Sequence, residues 1–113
     1  MKKYFLFFGL LSALWFVACA VDRPAVKVIP DAEMAVLDAK QAQANKYAPQ
    51  ELEKARKSLN SAKEALEQNL PDMARRYSEL ALVDAEYAKA LAQNKRTQEY
   101  VTENTHEINK LSR

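Results

Sequence analysis

The chain has 113 residues, 49% hydrophobic and 28% charged, which is enough for one small domain. It contains a single cysteine, so the folded chain has no internal disulfide. Two of its 17 basic residues, Lys2 and Lys3, lie in a segment that we expect to be removed, which leaves 15 basic residues against 15 acidic ones. This balance argues against a nucleic-acid partner.

The first 18 residues have the layout of an export signal. Residues 1–3 are basic at two positions, and the 18 residues of Tyr4–Val21 carry no charge and end among small side chains. We therefore assign residues 1–18 to a signal peptide. Residues 19–29 contain Pro24 and show no helical periodicity, so we assign them to a tether.

The single cysteine lies at the end of the uncharged run. Phe16-Val17-Ala18-Cys19 resembles the lipobox of bacterial lipoproteins, with Phe16 in place of the usual leucine. The resemblance implies diacylglycerol on the Cys19 sulfur and an acyl chain such as palmitate on its amine, which together suffice for stable membrane attachment. Ala20, which stands where an aspartate would favour retention, implies the periplasmic face of the outer membrane.

Two alternatives for this segment remain open. Ala18-Cys19-Ala20 also fits ordinary signal cleavage, which would give a secreted or soluble periplasmic chain beginning at Val21. The run Tyr4–Val21 is also just long enough to stay as a membrane-spanning anchor.

Three prolines divide the rest of the chain. Pro30, Pro49 and Pro71 are each followed by a carboxylate within a first helical turn, and each ends a preceding helix. The predicted helices span 30–47, 49–69 and 71–110.

The second and third helices are predicted to form an antiparallel hairpin. Apolar residues recur at steps of three and four on both sides of a short connection, in which Asn69 tolerates a left-handed conformation. The predicted stripes are Leu52, Ala55, Leu59, Ala62 and Leu66 on one helix, and Ala74, Tyr77, Ala81, Ala88 and Leu91 on the other. The fold class is therefore all-α: a three-helix up-down-up bundle over residues 30–92, whose long third helix continues into a polar extension over 93–113.

One charged residue interrupts the second stripe. Asp84 takes the place of an apolar residue, and a buried charge is costly unless it is paired. We expect a basic partner from a neighbouring helix, either Arg56 or Lys63.

A seven-residue repeat runs through the third helix and into its polar extension. The repeat consists of Met73, Leu80, Tyr87, Asn94, Val101 and Ile108. Such a seam, with a polar Asn in its middle, is typical of a weak coiled-coil face. We expect Asn94, Val101 and Ile108 to form a partner-binding face, and a solvated tail is the alternative.

Residues 39–92 resemble a family. Tyr47-Ala48-Pro49-Gln50-Glu51-Leu52 and the spaced alanines and leucine of 55–65, followed by Ala74-Arg75-Arg76-Tyr77, are similar to the bacterial domain-of-unknown-function family 4398. The resemblance implies a small envelope lipoprotein of the kind also found next to peptidoglycan-binding domains of the OmpA type. It implies no catalytic residues.

The sequence offers no recognisable chemistry. His106 is the only histidine and lies in the polar extension, so neither a metal site nor a nucleophile–base pair can be assembled around it. We expect a non-enzymatic helical adaptor or spacer of the cell envelope that binds no cofactor, no metal and no nucleic acid. Its expected partners are the membrane and an envelope or peptidoglycan-associated protein. The alternative is a carrier of a small ligand or peptide, and the oligomeric state stays open.

Overall fold

The computed structural model describes the backbone of residues 25–113 and the side chains of residues 27–113. This part of the chain contains four helices and no strand, which confirms the all-α prediction. The helices are α1 (Ala25–Gln41), α2 (Ala44–Tyr47), α3 (Pro49–Glu67) and α4 (Pro71–Leu111). Cys19 and the predicted export signal lie outside the described residues.

The first helix differs most from its prediction. It begins at Ala25, so that the last five residues of the predicted tether are helical, and Pro30 is its sixth residue rather than its first. A proline inside a helix leaves one carbonyl without its usual donor. Here Val28 and Ile29, just before the proline, are buried in the bundle. Burial of these two side chains explains why the helix extends through Pro30 instead of starting at it.

The predicted first helix is also divided near its end. Gln43 adopts a left-handed conformation with φ of 65°, and its N–H donates to the carbonyl oxygen of Lys40 at 2.9 Å. The chain then forms the single turn α2, whose first residue, Ala44, is fully buried, as is Ala48 directly after it. Glycine is the usual residue for this conformation, and a glutamine there gave no sequence signal.

The connection between α3 and α4 follows the predicted chemistry. Asn69 is left-handed, with φ of 60°. The N–H of Leu70 donates to Ala65 O at 2.8 Å and the N–H of Asn69 to Leu66 O at 3.0 Å, the bond pattern of a Schellman motif. Pro71 is the first residue of α4, as Pro49 is of α3.

The long helix α4 is the centre of the packing. It lies against both α1 and α3, which contact each other much less. Its buried residues are spaced by alternating fours and threes: Ala74, Ser78, Ala81, Ala85, Ala88 and Ala92. Three of these positions match the predicted stripe, and the other three, Ser78, Ala85 and Ala92, each lie one residue later than predicted. Tyr77 and Leu91 consequently lie half-buried at the edge.

Small side chains dominate this core. On α3 the alanine at position 65 is buried and Leu66 is exposed, the reverse of the predicted assignment. The hydroxyl of Ser78 is fully buried and donates to Ala74 O at 2.8 Å within its own helix, so it leaves no unsatisfied group. Alanine and serine at these positions bring the helix axes close together while each hides little surface.

Candidate partner-binding surface

The side of α4 that faces away from α1 and α3 carries most of its large apolar residues. We call this side the outer face, since at 100° per residue it lies opposite Ala81 and Ala85. Six of its large residues are between 49% and 84% exposed: Leu80, Val83, Tyr87, Val101, Ile108 and Leu111. Polar Asn94 and Thr97, both exposed, lie between the two apolar halves.

The predicted seven-residue seam lies beside the core at its start and on the outer face for the rest of its length. Met73 at its start is 44% exposed, Tyr87 is 59% exposed and Ile108 near its end is 65% exposed. A straight α-helix drifts by about 20° per heptad relative to a seven-residue repeat. The seam starts beside the buried stripe and this drift carries it away from the core. Asn94 and Val101 are exposed as well, so the structure leaves the whole predicted partner face uncovered.

Two smaller apolar groups are also exposed. Leu66, Leu70 and Met73 surround the turn between α3 and α4, and Met34 and Leu37 lie on α1. Both groups are shorter than the outer face of α4.

A polar cluster fastens α2 to α4. The hydroxyl of Tyr47 donates to the carboxylate of Glu99, and Lys46 Nζ lies 2.8 Å from that hydroxyl and 3.3 Å from Glu99 Oε2. Lys95 Nζ donates to the carbonyl oxygen of Tyr47 at 2.8 Å. The Lys46 ammonium also lies 4.4 Å from the centre of the Tyr47 ring. We call Lys46, Tyr47, Lys95 and Glu99 the clamp.

The clamp shifts the titration of two of its groups. The hydrogen bond from the Tyr47 hydroxyl, and then that from Lys46, holds the pKa of Glu99 below its usual value. The hydrogen bond of Lys46 with the Tyr47 hydroxyl, and then its hydrogen bond with Glu99, raise the pKa of Lys46. All of these side chains lie at the surface, where ion pairs are screened by water. The clamp is therefore a positioning device for the corner at α2.

Because of the clamp, the bundle ends later in the sequence than predicted. Contacts between α4 and the rest of the described chain reach Glu99, seven residues past the predicted domain end at residue 92. From residue 100 onward every residue is exposed except Asn104, which is half-buried. The last 12 residues of α4, which extend about 18 Å at 1.5 Å per residue, thus continue beyond the bundle.

The prediction of a buried ion pair for Asp84 is wrong. Asp84 is half-buried at the edge of α4, and no ion pair of it occurs within residues 27–113. Lys63 pairs instead with Glu33 on α1 at 2.6 Å, and Arg56 pairs with Glu53 on its own helix at 4.0 Å. Because Ala85 and not Asp84 takes the buried position on α4, Asp84 can reach water.

The described residues offer no other obvious site. They contain no cluster of metal-ligating side chains, and His106 is exposed. Their surface grooves are open to solvent, as is the one between Asp38, Lys89 and Arg96. None of their helices has the length and apolar content that a bilayer crossing requires.

The comparison with protein families shows to which family the chain is related. Residues 28–103 match the family described as Domain of unknown function (DUF4398). The chain belongs to the DUF4398 family. Neither a curated protein nor a solved structure matches it.

The DUF4398 match is wider than the resemblance over residues 39–92. It begins at Val28, a buried residue of α1, and it ends at Glu103, so it includes the clamp. Asn94 and Val101 lie inside the DUF4398 region and Ile108 lies outside it. Sequence reasoning missed the clamp because Tyr47 and Glu99 are 52 residues apart, although Tyr47 begins the first of the stretches that resemble the family.

Proposed function

We propose that this DUF4398 protein is a non-enzymatic lipoprotein of the bacterial cell envelope that acts as a periplasmic helical adaptor or spacer. The observation that carries the proposal is the outer face of α4. It runs for about 46 Å from Leu80 to Leu111, at 1.5 Å per residue, with exposed large apolar residues in both halves and exposed polar residues between them. Monomeric proteins seldom expose a long apolar strip unless it meets a partner.

The arrangement proposed for the helices is up-down-up. The short connection at residues 68–70 supports an antiparallel α3 and α4. Two ion pairs support a parallel course of the N-terminal part and α4: Asp38 pairs with Lys89 at 3.3 Å, and further along both segments Lys46 pairs with Glu99 at 3.3 Å. In this arrangement α4 leads away from the end of the bundle at which α1 begins.

The other end of the adaptor would be a lipid anchor on Cys19. The uncharged run that ends in Val17-Ala18-Cys19 and the lack of a second cysteine support lipidation. Cys19 lies six residues before the start of α1, so an anchored chain would hold α1 close to the membrane. Ala20 after the cysteine favours the outer membrane, and an envelope or peptidoglycan-associated protein is the expected class of partner.

The alternative function, a carrier, needs space between the helices for its ligand. The facing residues Ala55, Ala62, Ala81, Ala85 and Ala88 are fully buried, and such small side chains let the helices meet directly. This packing supports the adaptor over the carrier.

Lipidation is tested by changing its only acceptor. Cys19→Ser is expected to abolish labelling by a radioactive or clickable fatty acid and to leave an unprocessed precursor, because the lipid-modified cysteine is the cleavage signal. If Cys19→Ser is still cleaved to the normal size and released as a soluble chain, ordinary signal cleavage is the better explanation.

The adaptor is tested by cross-linking in intact cells followed by mass spectrometry. Val101→Glu places a charge on the outer face and is expected to remove the cross-linked products while the protein stays in the membrane fraction. Thr102→Glu is the matched control, since it adds the same charge at the next residue, off the outer face. If Val101→Glu gives the same products as the wild type and as Thr102→Glu, the outer face does not bind a partner.

A further inference from the structure

We propose that the partner of the outer face is a second copy of the same chain, joined to the first through α4 as a parallel, in-register, two-stranded coiled coil. The inference rests on the proposed function, because it names the partner of the same face. Four observations carry it: the spacing of the residues, the placement of the charges, the position of Asn94 and the free space around α4.

The spacing is that of a heptad repeat sustained over more than four heptads. Leu80, Tyr87, Asn94, Val101 and Ile108 recur every seven residues. A second set of positions follows three residues after each of them: Val83, Ala90, Thr97, Asn104 and Leu111. The two sets are the a and d positions of a coiled coil, apolar at its two ends and polar in between. All of these positions are exposed except Asn104, which is half-buried, so the bundle leaves them free for a partner.

The charged residues in the middle of α4 avoid the contact positions of this face, and the next charged contact position is Glu107, at g. Between residues 90 and 105 all four charged residues, namely Lys95, Arg96, Glu99 and Glu103, occupy positions outside a, d, e and g. The surface offered to a partner there is uncharged and carries amide groups. A strongly acidic or basic partner would find no complementary charge on it, whereas another copy of α4 offers a surface of the same kind. In a parallel pair Gln93 of one chain faces Gln98 of the other.

Asn94 sets the register and the direction. At an a position in a parallel pair it meets the Asn94 of the other chain, and each amide both donates and accepts. The β-branched Val101 and Ile108 at the following a positions favour two strands. In the antiparallel pair that aligns the two repeats, Glu86 would face Glu107 of the other chain on both sides, and like charges there are destabilising.

The geometry leaves room for the second copy. α1 and α3 lie on the opposite side of α4, so two bundles would sit on the outsides of the paired helices without touching. The six large apolar residues of the outer face expose on the order of 500 Å² of apolar surface. The polar residues between them bring the face close to the ~800 Å² per partner of a standard interface.

The first test uses the full-length chain in intact cells with a short bis-maleimide cross-linker. Thr97→Cys places a thiol at a d position, Glu103→Cys places one on the side away from the outer face, and the chain with Cys19 alone gives the background. We expect a product of twice the chain mass from Thr97→Cys, at least about ten times more abundant than from Glu103→Cys. Axes of paired helices are only about 8–10 Å apart.

Three results would overturn the inference. Equal or absent double-mass product from Thr97→Cys and Glu103→Cys excludes a second copy on this face. A Thr97→Cys product of another mass also excludes it, but leaves the adaptor function intact. Stronger cross-linking between co-expressed Leu80→Cys and Leu111→Cys chains than within either one excludes the parallel direction.

A second measurement compares the mass of the purified full-length protein in detergent, corrected for bound detergent. The doubly charged variant Val101→Glu/Ile108→Glu is expected to be monomeric and to keep the helical circular dichroism of the wild type. Thr102→Glu/Asn109→Glu adds the same two charges off the outer face and is expected to stay dimeric. If both variants are dimeric, or if both are monomeric, the outer face is not what joins the chains.

Discussion

The two sides of α4 reverse the usual distribution of side-chain size. The buried side carries alanines and one serine, while the exposed outer face carries leucine, isoleucine, valine and tyrosine. Large apolar residues are normally the ones that a small domain hides. The difference teaches that α4 is suited to two kinds of contact. Its small residues allow close packing within its own bundle, and its large apolar residues are left for contact with a partner.

The largest expected effect comes from enlarging a side chain on the buried side of α4 and comparing it with an enlargement on the outer face. Ala85→Leu inserts a large side chain at a fully buried position of the core, and should lower the free energy of unfolding by between about 1 and 3 kcal/mol through overpacking. Val83→Leu, two residues earlier on the outer face, should change it by less than about 0.5 kcal/mol. Urea unfolding followed by circular dichroism measures both. Equal effects would mean that the two sides are not packed differently.

The core side also depends on the turn that brings the chain from α1 to α3. Gln43→Gly should raise the free energy of unfolding by about 0.5–1 kcal/mol, because glycine adopts the left-handed conformation at no steric cost. Lys57→Gly is the control, since Lys57 is exposed in the interior of α3 and its replacement should destabilise by about 0.5–1 kcal/mol. Thermal melting of both variants measures these opposite changes in stability. A loss of stability in Gln43→Gly would show that the glutamine side chain has another role at the turn.

The end of the core side is marked by the clamp, whose effect should depend on pH. The pKa of Glu99 is lowered in the folded chain from its ordinary 4.5, so its contribution is present above that value and is lost as the pH falls through the folded pKa. The melting temperature of Glu99→Gln should therefore lie below that of the wild type at pH 7, and the difference should shrink as the pH falls well below 4.5. Glu103→Gln, one turn further along, should follow the wild type at every pH. A difference that persists unchanged into strong acid would contradict the clamp.

The smallest effect is expected at the border between the two sides. Asp84→Ala should change the free energy of unfolding by no more than about 0.5 kcal/mol, as at an ordinary surface site. Asp38→Ala removes the ion pair with the half-buried Lys89 and should cost up to about 1 kcal/mol, a modest value because both side chains are partly solvated. Guanidinium unfolding at low salt compares the two. A larger loss in Asp84→Ala would restore the buried-charge prediction.

Local signals predicted much of the fold. The prolines at 49 and 71 and the left-handed Asn69 act within a few residues of themselves, so the starts of α3 and α4 and the turn between these helices were predictable from the sequence. The start of α1 was not, because burial of Val28 and Ile29 against other helices outweighs the preference of Pro30 for a first turn. The break at Gln43 was missed because nothing local marks a glutamine as left-handed.

The candidate surface was predicted in part. The seven-residue repeat identified Asn94, Val101 and Ile108 as a seam, but periodicity alone does not say which side of a helix its own bundle covers. The prediction left only the distal seam free. The structure places both helical neighbours on the other side, so the free surface extends back to Leu80. The clamp could not be predicted from local sequence patterns, because it joins residues that are distant in sequence.

The alanine core of this protein would not be detected by an alanine scan. Five of the six buried residues of α4 are already alanine, so an alanine scan would pass over the centre of the bundle. It would report instead on the exposed leucines and valines, and a reader of that scan would place the core on the wrong side of the helix. Glycine substitutions, each expected to cost about 1 kcal/mol in an α-helix before any lost packing is added, would map the true interior.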